Sequence, residues 1–281
     1  MSVAVVCLLL VHFAVGLDDC NDFYFKNAEK SYERCRGYQE RDVMKEEQDV
    51  MIWYLKVTGK DVKHLCKGSL GTTVLDADLS NIGASYLEER WLKNSTVKVL
   101  NLTGNSLVIL QRNAFDNMPH LEAIYLDDNK LAVWESDWFK NCPMLHLISV
   151  NNNYISELPE NAMQNVPYEV KKYLWKLLPK IYLNNNNLKY IHDKAFSCLK
   201  YMSTLSLKNN KLFEISSKTF GDVDYLFTLD VSGNNFICFS SNAMKSLTNV
   251  RLLIIKDNVL NEDCKNNLKV YFEQKMDDLD I

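Results

Sequence analysis

Glycine and proline are scarce in this chain, with nine and five among 281 residues. This scarcity excludes collagen-like chains and flexible linkers, which are rich in both. Basic charge is not in excess either, since 32 Lys and Arg face 36 Asp and Glu and leave a formal charge of −4. We therefore expect no nucleic-acid partner, because binding of that kind depends on cations that neutralise phosphates. The content of 47% hydrophobic and 24% charged residues is typical of a globular chain with a buried core.

Long hydrophobic runs are also missing, apart from VAVVCLLLVHFAV at residues 3 to 15. A bilayer span needs roughly 20 apolar residues, so this run is too short to cross a membrane. It ends in Ala14-Val15-Gly16, a small-x-small sequence of the kind that signal peptidase cuts. We predict a signal peptide over residues 1–16 and secretion of the mature protein, and no later stretch is long enough to span a membrane.

The chain repeats one motif at a fixed register. Seven blocks, from VKVLNLTGNSL at 97–107 to VRLLIIKDNVL at 250–260, read L-x-x-L-x-L-x-x-N-x-L, with a usual spacing of 24 residues. This is the leucine-rich-repeat pattern. It predicts an α/β solenoid, a horseshoe of about eight repeats over residues 72–264 with short parallel strands on its concave side. The interval 155–188 is longer than the others and predicts an insertion near residues 167–175.

The motif has a physical cause. Its alternating apolar positions fit a short strand, and the asparagine can bond backbone groups that the following turn leaves unpaired. We expect these asparagines to stack as a ladder: Asn105, Asn129, Asn153, Asn186, Asn210, Asn234 and Asn258. A degenerate first copy, TTVLDADLSNI at 72–82, places Ser80 where the other copies carry asparagine.

A stack of repeats exposes an apolar face at each end, so both ends need a cap. Residues 17–71 predict a helical amino-terminal cap with helices near 22–36 and 40–57, since Val50, Met51, Tyr54 and Leu55 fit one helical stripe. Two of the three cysteines in this part can pair, and our first choice is Cys35 with Cys66, leaving Cys20. Residues 265–281 predict a helical tail.

Four further cysteines lie among the repeats and their carboxyl-terminal cap. Cys238 and Cys264 fall at similar places in adjacent repeats, about 5 Å apart, and predict a disulfide that closes the second cap. Cys142 occupies a slot that is apolar in sister repeats and predicts a buried thiol. Cys198 and Cys20 are the candidates for an interchain bridge.

Catalytic motifs are missing from the sequence, which has scattered histidines and no H-E-x-x-H, C-x-x-C, G-x-S-x-G or glycine-rich phosphate loop. We expect neither an enzyme nor a cofactor or metal site. Binding would then use the concave strands, whose outward side chains suit a protein partner because tyrosines lie among neutral hydrogen-bonding residues. The candidate contact residues are Tyr125, Asp127, Ser149, Asn151, Tyr182, Asn184, Ser206, Lys208, Asp230 and Ile254.

The sequence contains two N-glycosylation sequons, Asn94-Ser95-Thr96 and Asn101-Leu102-Thr103. They are credible glycosylation sites because we expect the chain to be exported. Asn101 falls on a concave strand. A glycan there would displace a partner toward later repeats.

The signal, the repeats, the cap without a cysteine cluster and the pair Cys238 and Cys264 together resemble the mosquito leucine-rich immune proteins. The resemblance is to the type without a carboxyl-terminal coiled coil. It implies a secreted binding protein of innate immunity, with a thioester-containing complement-like protein or another leucine-rich-repeat protein as its partner. The competing hypothesis is an extracellular adhesion or developmental scaffold, or a soluble regulator of a receptor.

Overall fold

The computed structural model describes residues 8–12, 52–58, 64–65, 74–167, 178–273, 275 and 277–281. Short strands follow one another along the chain with two helices near its carboxyl end. The strands are β1 Leu8–His12, β2 Ile52–Thr58, β3 His64–Leu65, β4 Val74–Asp78, β5 Tyr86–Leu87, β6 Val99–Asn101, β7 Ala123–Tyr125, β8 Leu147–Ser149, β9 Glu157–Leu158, β10 Lys180–Tyr182, β11 Tyr190–Ile191, β12 Tyr201–Ser206, β13 Tyr225–Asp230, β14 Val250–Ile254 and β15 Asp278–Asp280. The helices are α1 Ser241–Ser246 and α2 Glu262–Phe272.

One parallel sheet carries the fold. Its eleven strands run in the order β1-β2-β4-β6-β7-β8-β10-β12-β13-β14-β15, so each turn of the chain adds one strand beside the last. The pairs β3–β5 and β9–β11 form two small parallel sheets away from it. This confirms the predicted solenoid with its short parallel strands.

Apolar side chains from every turn fill the space behind the sheet. Leu100, Ile124, Ile148 and Ile181 lie in register on successive strands and are at most 1% exposed. Behind them, aromatic rings of neighbouring turns stack, as Phe115 does on Phe139 with ring centroids 5.7 Å apart. Full burial of one such side chain stabilises the fold by about 1.5–3 kcal/mol, so the repeated core is the main stabilising term.

The predicted asparagine ladder is confirmed. Its first six members are only 4–6% exposed. Asn210 shows the pattern, because its Nδ2 donates to the carbonyls of Leu183 and Leu207 at 2.9 Å each, while its Oδ1 accepts from the Leu188 N–H at 3.0 Å. Each amide thus joins two turns and satisfies backbone groups that are buried away from water.

A second ladder, which the sequence motif did not predict, lies one residue earlier on the surface. Asp128, Asn152, Asn185 and Asn209 all have φ of +54°, a left-handed conformation that Asn and Asp tolerate better than other non-glycine residues. Their side chains bond in series at 2.7–2.8 Å. At the next turn Gly233 (φ +64°) ends the series because it has no side chain. A Cβ at this position would collide with the Asn209 Oδ1.

The structure corrects the register of the first repeat. Ala77, and not Leu75, pairs with Leu100, which shifts the predicted block 72–82 by two residues. Ile82 therefore takes the ladder position that the sequence had given to Ser80. The Asn105 Oδ1 accepts from the backbone N–H of Ala84, two residues after that position, at 3.0 Å, as the later asparagines do toward their preceding turns, and it also accepts from the Ile82 N–H at 3.2 Å.

The predicted helix near 40–57 is wrong over its last residues. Residues 52–58 form β2, which pairs with β4 and also with β1. Leu55 and Val57 are buried while Tyr54 and Lys56 are half-buried, the alternation of a strand. The predicted helix at 22–36 and the rest of 40–57 lie outside the described residues, as do Cys20, Cys35, Cys66 and most of the predicted insertion. β1 lies within the predicted signal peptide.

The predicted carboxyl-terminal disulfide is confirmed. Cys238 and Cys264 are bonded with Cα atoms 5.5 Å apart. Helix α2 begins after Asn261, whose side chain accepts from the Cys264 N–H at 2.8 Å. The tail prediction is only partly right: the helix ends at 272, and residues 278–280 form β15, which pairs with β14 and extends the sheet by a strand.

Cys142 is a buried free thiol, as predicted, and it donates to the Phe115 carbonyl at 3.0 Å. Burial raises the pKa of this thiol to about 12. Cys198 is free and half-buried. No helix in the parts of the chain that the structure describes is both long and apolar enough to cross a membrane.

Candidate binding surface on the concave sheet

The strand register brings the predicted contact residues together. Pairing runs without a slip from Tyr125 to Ser149, Tyr182, Ser206, Asp230 and Ile254 on β14. Side chains at this position stand on the solvent side of the sheet because their neighbours along each strand point into the core. We call this line of side chains the central row.

Members of the central row differ in how far they reach into solvent. Tyr125, Tyr182, Asp230 and Ile254 are half-buried. The two serines offer a partner little surface, because Ser149 is only 4% and Ser206 only 6% exposed. The sequence places all of these residues on one face, but their depth depends on the larger neighbours and on hydrogen bonds.

A hydrogen-bonded chain of side chains runs beside the central row, through Asp127, Asn151 and Asn184. The Asp127 carboxylate accepts from the Ser149 hydroxyl at 2.7 and 2.9 Å and from the Asn151 N–H at 2.6 Å. The Asn151 Oδ1 accepts in turn from the Asn184 N–H at 2.8 Å. These bonds satisfy backbone donors at the strand ends, so each residue has a structural role besides any contact with a partner.

The same arrangement recurs two turns later with a neutral group. The Asn184 Oδ1 accepts from the Ser206 hydroxyl at 2.6 Å and from the Lys208 N–H at 2.9 Å. An amide oxygen therefore makes there the bonds that a carboxylate oxygen makes at Asp127. Burial raises the pKa of Asp127, and the hydrogen bonds from Ser149 and Asn151 oppose that rise.

Ion pairs neutralise charge at both ends of the concave sheet. Lys56 contacts Asp78 at 3.0 Å and Lys98 contacts Glu122 at 3.4 Å near its beginning. Near its end, Lys256 contacts the Asp280 carboxylate of the last strand at 2.8 Å. Asp127 takes part in no ion pair with any residue that the structure describes.

An apolar area lies toward the carboxyl end of the concave face. Phe227 is 48% exposed, and Leu252 and Ile254 on the next strand are half-buried. The Arg251 guanidinium lies 5.9 Å from the centre of the Tyr225 ring at the border of this area. A partner that covers this end would meet apolar surface with a cation at its edge.

The two sequons lie in different surroundings. Asn94 is exposed and its Oδ1 accepts from the Asn117 amide, which leaves the Asn94 Nδ2 toward solvent. The Asn101 Nδ2, the atom a glycan would modify, donates to Asp78 at 3.1 Å, and its Oδ1 accepts from the Thr103 N–H at 3.0 Å. A glycan on Asn101 would therefore displace a bond of the concave face.

Exposed apolar side chains also line one flank of the solenoid, a feature that the repeat pattern did not single out. They follow the ladder position of each turn by one to four residues, and we call this surface the flank. Its members are Tyr86, Val108, Ile109, Val133, Tyr154, Tyr190, Phe213, Ile237 and Val259. Apolar residues at solvent positions of consecutive repeats are the sequence signal for such a surface.

Metal-binding clusters were not expected from the sequence. Within the described ranges, no three His, Cys, Asp or Glu side chains come together in a way that could hold a metal ion. His146 and His192 instead bond backbone groups two residues away.

Comparison with solved structures identifies proteins of the same fold. A chain of the Drosophila Toll–Spatzle complex has a TM-score of 0.58 and 20% identity, and the match covers 81% of this chain and 32% of that one. A chain of the mouse RP105/MD-1 complex has a TM-score of 0.56 and 20% identity, covering 81% and 42%. A chain of the TLR13–ssRNA13 complex has a TM-score of 0.58 and 17% identity, covering 73% and 32%.

At these identities the likeness establishes the fold alone, and this chain spans only about a third to two fifths of the length of the chains it matches. No curated protein matches the chain. The family model described as leucine rich repeat matches residues 78–131, 119–167 and 200–260. These segments make up more than half of the sequence, so the chain belongs to the leucine-rich-repeat family.

Proposed function

We propose that this protein is a secreted binding protein of innate immunity, which recognises a protein partner or regulates a complement-like effector through its concave sheet. The observation that carries the proposal is the central row, where Tyr125 and Tyr182 reach solvent from a rigid sheet. A tyrosine offers a large contact area and a polar tip while it loses little conformational entropy on binding.

An extracellular location is part of this proposal. The Cys238–Cys264 disulfide suits an oxidising compartment, where such bonds persist. The predicted signal peptide at residues 1–16 and the exposed sequon at Asn94 agree with that location. Sequencing the amino terminus of the secreted protein tests it, and we expect the mature chain to begin at residue 17.

The proposed partner is an extracellular protein, either a thioester-containing complement-like protein or another leucine-rich-repeat protein. Solved relatives of the fold were captured with proteins, Toll with Spatzle and RP105 with MD-1. TLR13 was captured with ssRNA13, but the net charge of −4 and the ion-paired lysines of this concave face favour a protein here. The resemblance to mosquito leucine-rich immune proteins supplies the finer choice of partner.

Affinity purification of the secreted protein would identify the partner, and non-reducing gels would show whether Cys198 or Cys20 joins it covalently. The double substitution Y125A/Y182A then tests the surface. Y154A/Y190A is the matched control, because it removes two exposed tyrosines from the flank. We expect the first variant to lose at least tenfold in affinity and the second to bind normally. Equal affinities for both variants would refute the proposed surface.

The alternative is an extracellular adhesion or developmental scaffold, or a soluble receptor regulator. The Toll–Spatzle complex, a relative in fold, is described as a hub of both development and innate immunity. Induction after infection with capture of a thioester protein would support the first proposal. Constant, tissue-restricted expression with binding to a membrane receptor would support the alternative.

A further inference from the structure

A gap opens in the central row at Ser149. Tyr125 pairs with Ser149 and Ser149 pairs with Tyr182, so the two tyrosines are two strands apart, about 10 Å, with a small side chain between them. Side chains stand roughly perpendicular to a sheet, so both rings rise beside the gap. Neither phenol hydroxyl has a hydrogen-bond partner among the described residues.

A carboxylate lies at the floor of this gap. The Asp127 oxygens are 2.7 and 2.9 Å from the Ser149 hydroxyl that forms the floor. Asp127 is half-buried, and its pKa is raised by that burial. It thus carries a partly desolvated charge with no cation beside it in the described part of the chain, while Asp78 and Glu122 on the same face each have a lysine.

We infer that the gap over Ser149 receives an arginine side chain of the bound protein. The inference rests on the proposed function and names the chemistry of its partner. A guanidinium midway between the rings would lie about 5 Å from each of them, inside the roughly 6 Å range of a cation–π contact. Its planar fork stacks on aromatic faces and accepts a carboxylate as its counter-ion, which Asp127 provides.

The neighbouring gap at Ser206 lacks both features. Tyr182 borders it on one side only, with Asp230 on the other, and its floor holds the neutral Asn184 in place of a carboxylate. At Asn184 the chain therefore contains a neutral counterpart of the Asp127 turn. Because Asn184 makes the bonds that Asp127 makes, the substitution D127N removes the charge and keeps the local hydrogen bonds.

Removal of Lys180 is a second way to change the charge near the gap. Lys180 is half-buried and lies on β10 two residues before Tyr182, on the same face of the sheet. Its charge opposes a guest cation, and Asp127 lies on the other side of the gap. Removing this lysine would strengthen cation binding, whereas a purely structural role of the gap predicts no such effect.

The test uses the full secreted chain and a small probe, Nα-acetyl-arginine methylamide, with its citrulline counterpart as the uncharged isostere. Binding is followed by NMR of the tyrosine ring signals. For a ligand of this size we expect a dissociation constant on the order of 1 mM. We expect D127N and Y125A each to weaken it about fivefold. K180A should strengthen it about twofold, and citrulline should bind at least fivefold more weakly.

Equal binding of the arginine and citrulline probes, no saturable binding, or unchanged affinity in D127N or K180A would overturn the inference. The identified partner separates this failure from failure of the proposed function. If Y125A/Y182A lowers partner affinity and D127N does not, the concave surface is right and the arginine is wrong. If neither variant changes partner affinity, both proposals are wrong.

Discussion

Replacing Asn210 with alanine measures how much one rung of the ladder stabilises the fold. The change removes four hydrogen bonds, one from a backbone N–H and three to carbonyls, of which the bond to Lys208 is the longest at 3.3 Å. The carbonyls of Leu183 and Leu207 keep second donors in Asn186 and Asn234. Their two lost bonds cost about 1 kcal/mol each, by the usual net value of a protein hydrogen bond.

The Leu188 N–H is in a different position. Its only partner in the described structure is the Asn210 Oδ1, and Leu188 is fully buried. A buried donor left without a partner costs about 1–3 kcal/mol. The sum is a loss of about 4 kcal/mol, a large share of the 5–15 kcal/mol by which a typical domain is stable.

Urea unfolding followed by circular dichroism checks this prediction through the midpoint at constant slope. The control is N235A, since Asn235 is exposed and its side chain makes no hydrogen bond in the described structure. We expect that control to change stability by less than about 0.5 kcal/mol. If N210A costs less than about 1 kcal/mol, water or small backbone shifts satisfy the buried backbone groups as well as the asparagine does, and the account of the fold is wrong.

Three further perturbations test other parts of the molecule. Gly233→Ala should cost about 2 kcal/mol in urea unfolding, because its φ is +64° and a neighbouring amide oxygen occupies the place of the new methyl group, whereas Gly221→Ala meets nothing closer than 3.5 Å and should be near neutral. Cys264→Ser opens a disulfide of separation 26 and should cost about 3.5 kcal/mol, a difference that a reductant abolishes. Cys142, with its pKa raised to about 12, should resist iodoacetamide at pH 8 until the chain unfolds, while the half-buried Cys198 reacts in the native state. The raised pKa also means that the contribution of the Cys142 thiol to stability is present below its unfolded pKa near 8.5 and is lost as pH rises toward 12. Stability above pH 9 should therefore fall less steeply in a Cys142→Ala variant.

The repeat register is the part of the fold that the sequence predicts best. An asparagine at a fixed distance from alternating leucines specifies the strand, the turn and the ladder together, so the sequence alone places Tyr125 and Tyr182 in one row. The Cys238–Cys264 bond follows from the same stacking. Local patterns were sufficient because each repeat contacts only its neighbours.

The pattern fails where its signals are missing or ambiguous. In the first repeat Ile82 replaces the ladder asparagine, so the leucines fit two registers. The pairing of Ala77 with Leu100 and the bond from the Ala84 N–H to the Asn105 Oδ1 select one of them. In β2 the apolar residues of a short run satisfy both a helical and a strand period, and pairing with β4 decides. The strand β15 contains one apolar residue, Leu279, and exists because β14 offers it an edge.

The depth of a side chain is a further property that periodicity does not predict. Ser149 faces the concave side, as its position requires, but two larger neighbours and the Asp127 carboxylate hold it below the surface. A set of contact residues read from alternate positions therefore mixes half-buried side chains that reach solvent with nearly buried ones that mainly bond within the sheet. The tyrosines and Asp230 belong to the first kind, the serines to the second.

Because the repeats share one architecture, each residue can be compared with the residues at the same position in other turns. A residue that differs from them without need of the fold indicates a role in function. At Asn151 and Asn184 a neutral amide caps the backbone N–H of the next strand. Asp127 makes the same bond with a carboxylate, although burying a charge is less favourable than burying an amide. The fold therefore does not require the charge at this turn. Asp127 thus carries a charge that the fold does not need, at the floor of the gap between two tyrosines and without a counter-ion in the described structure. It is the residue through which this surface would select its partner.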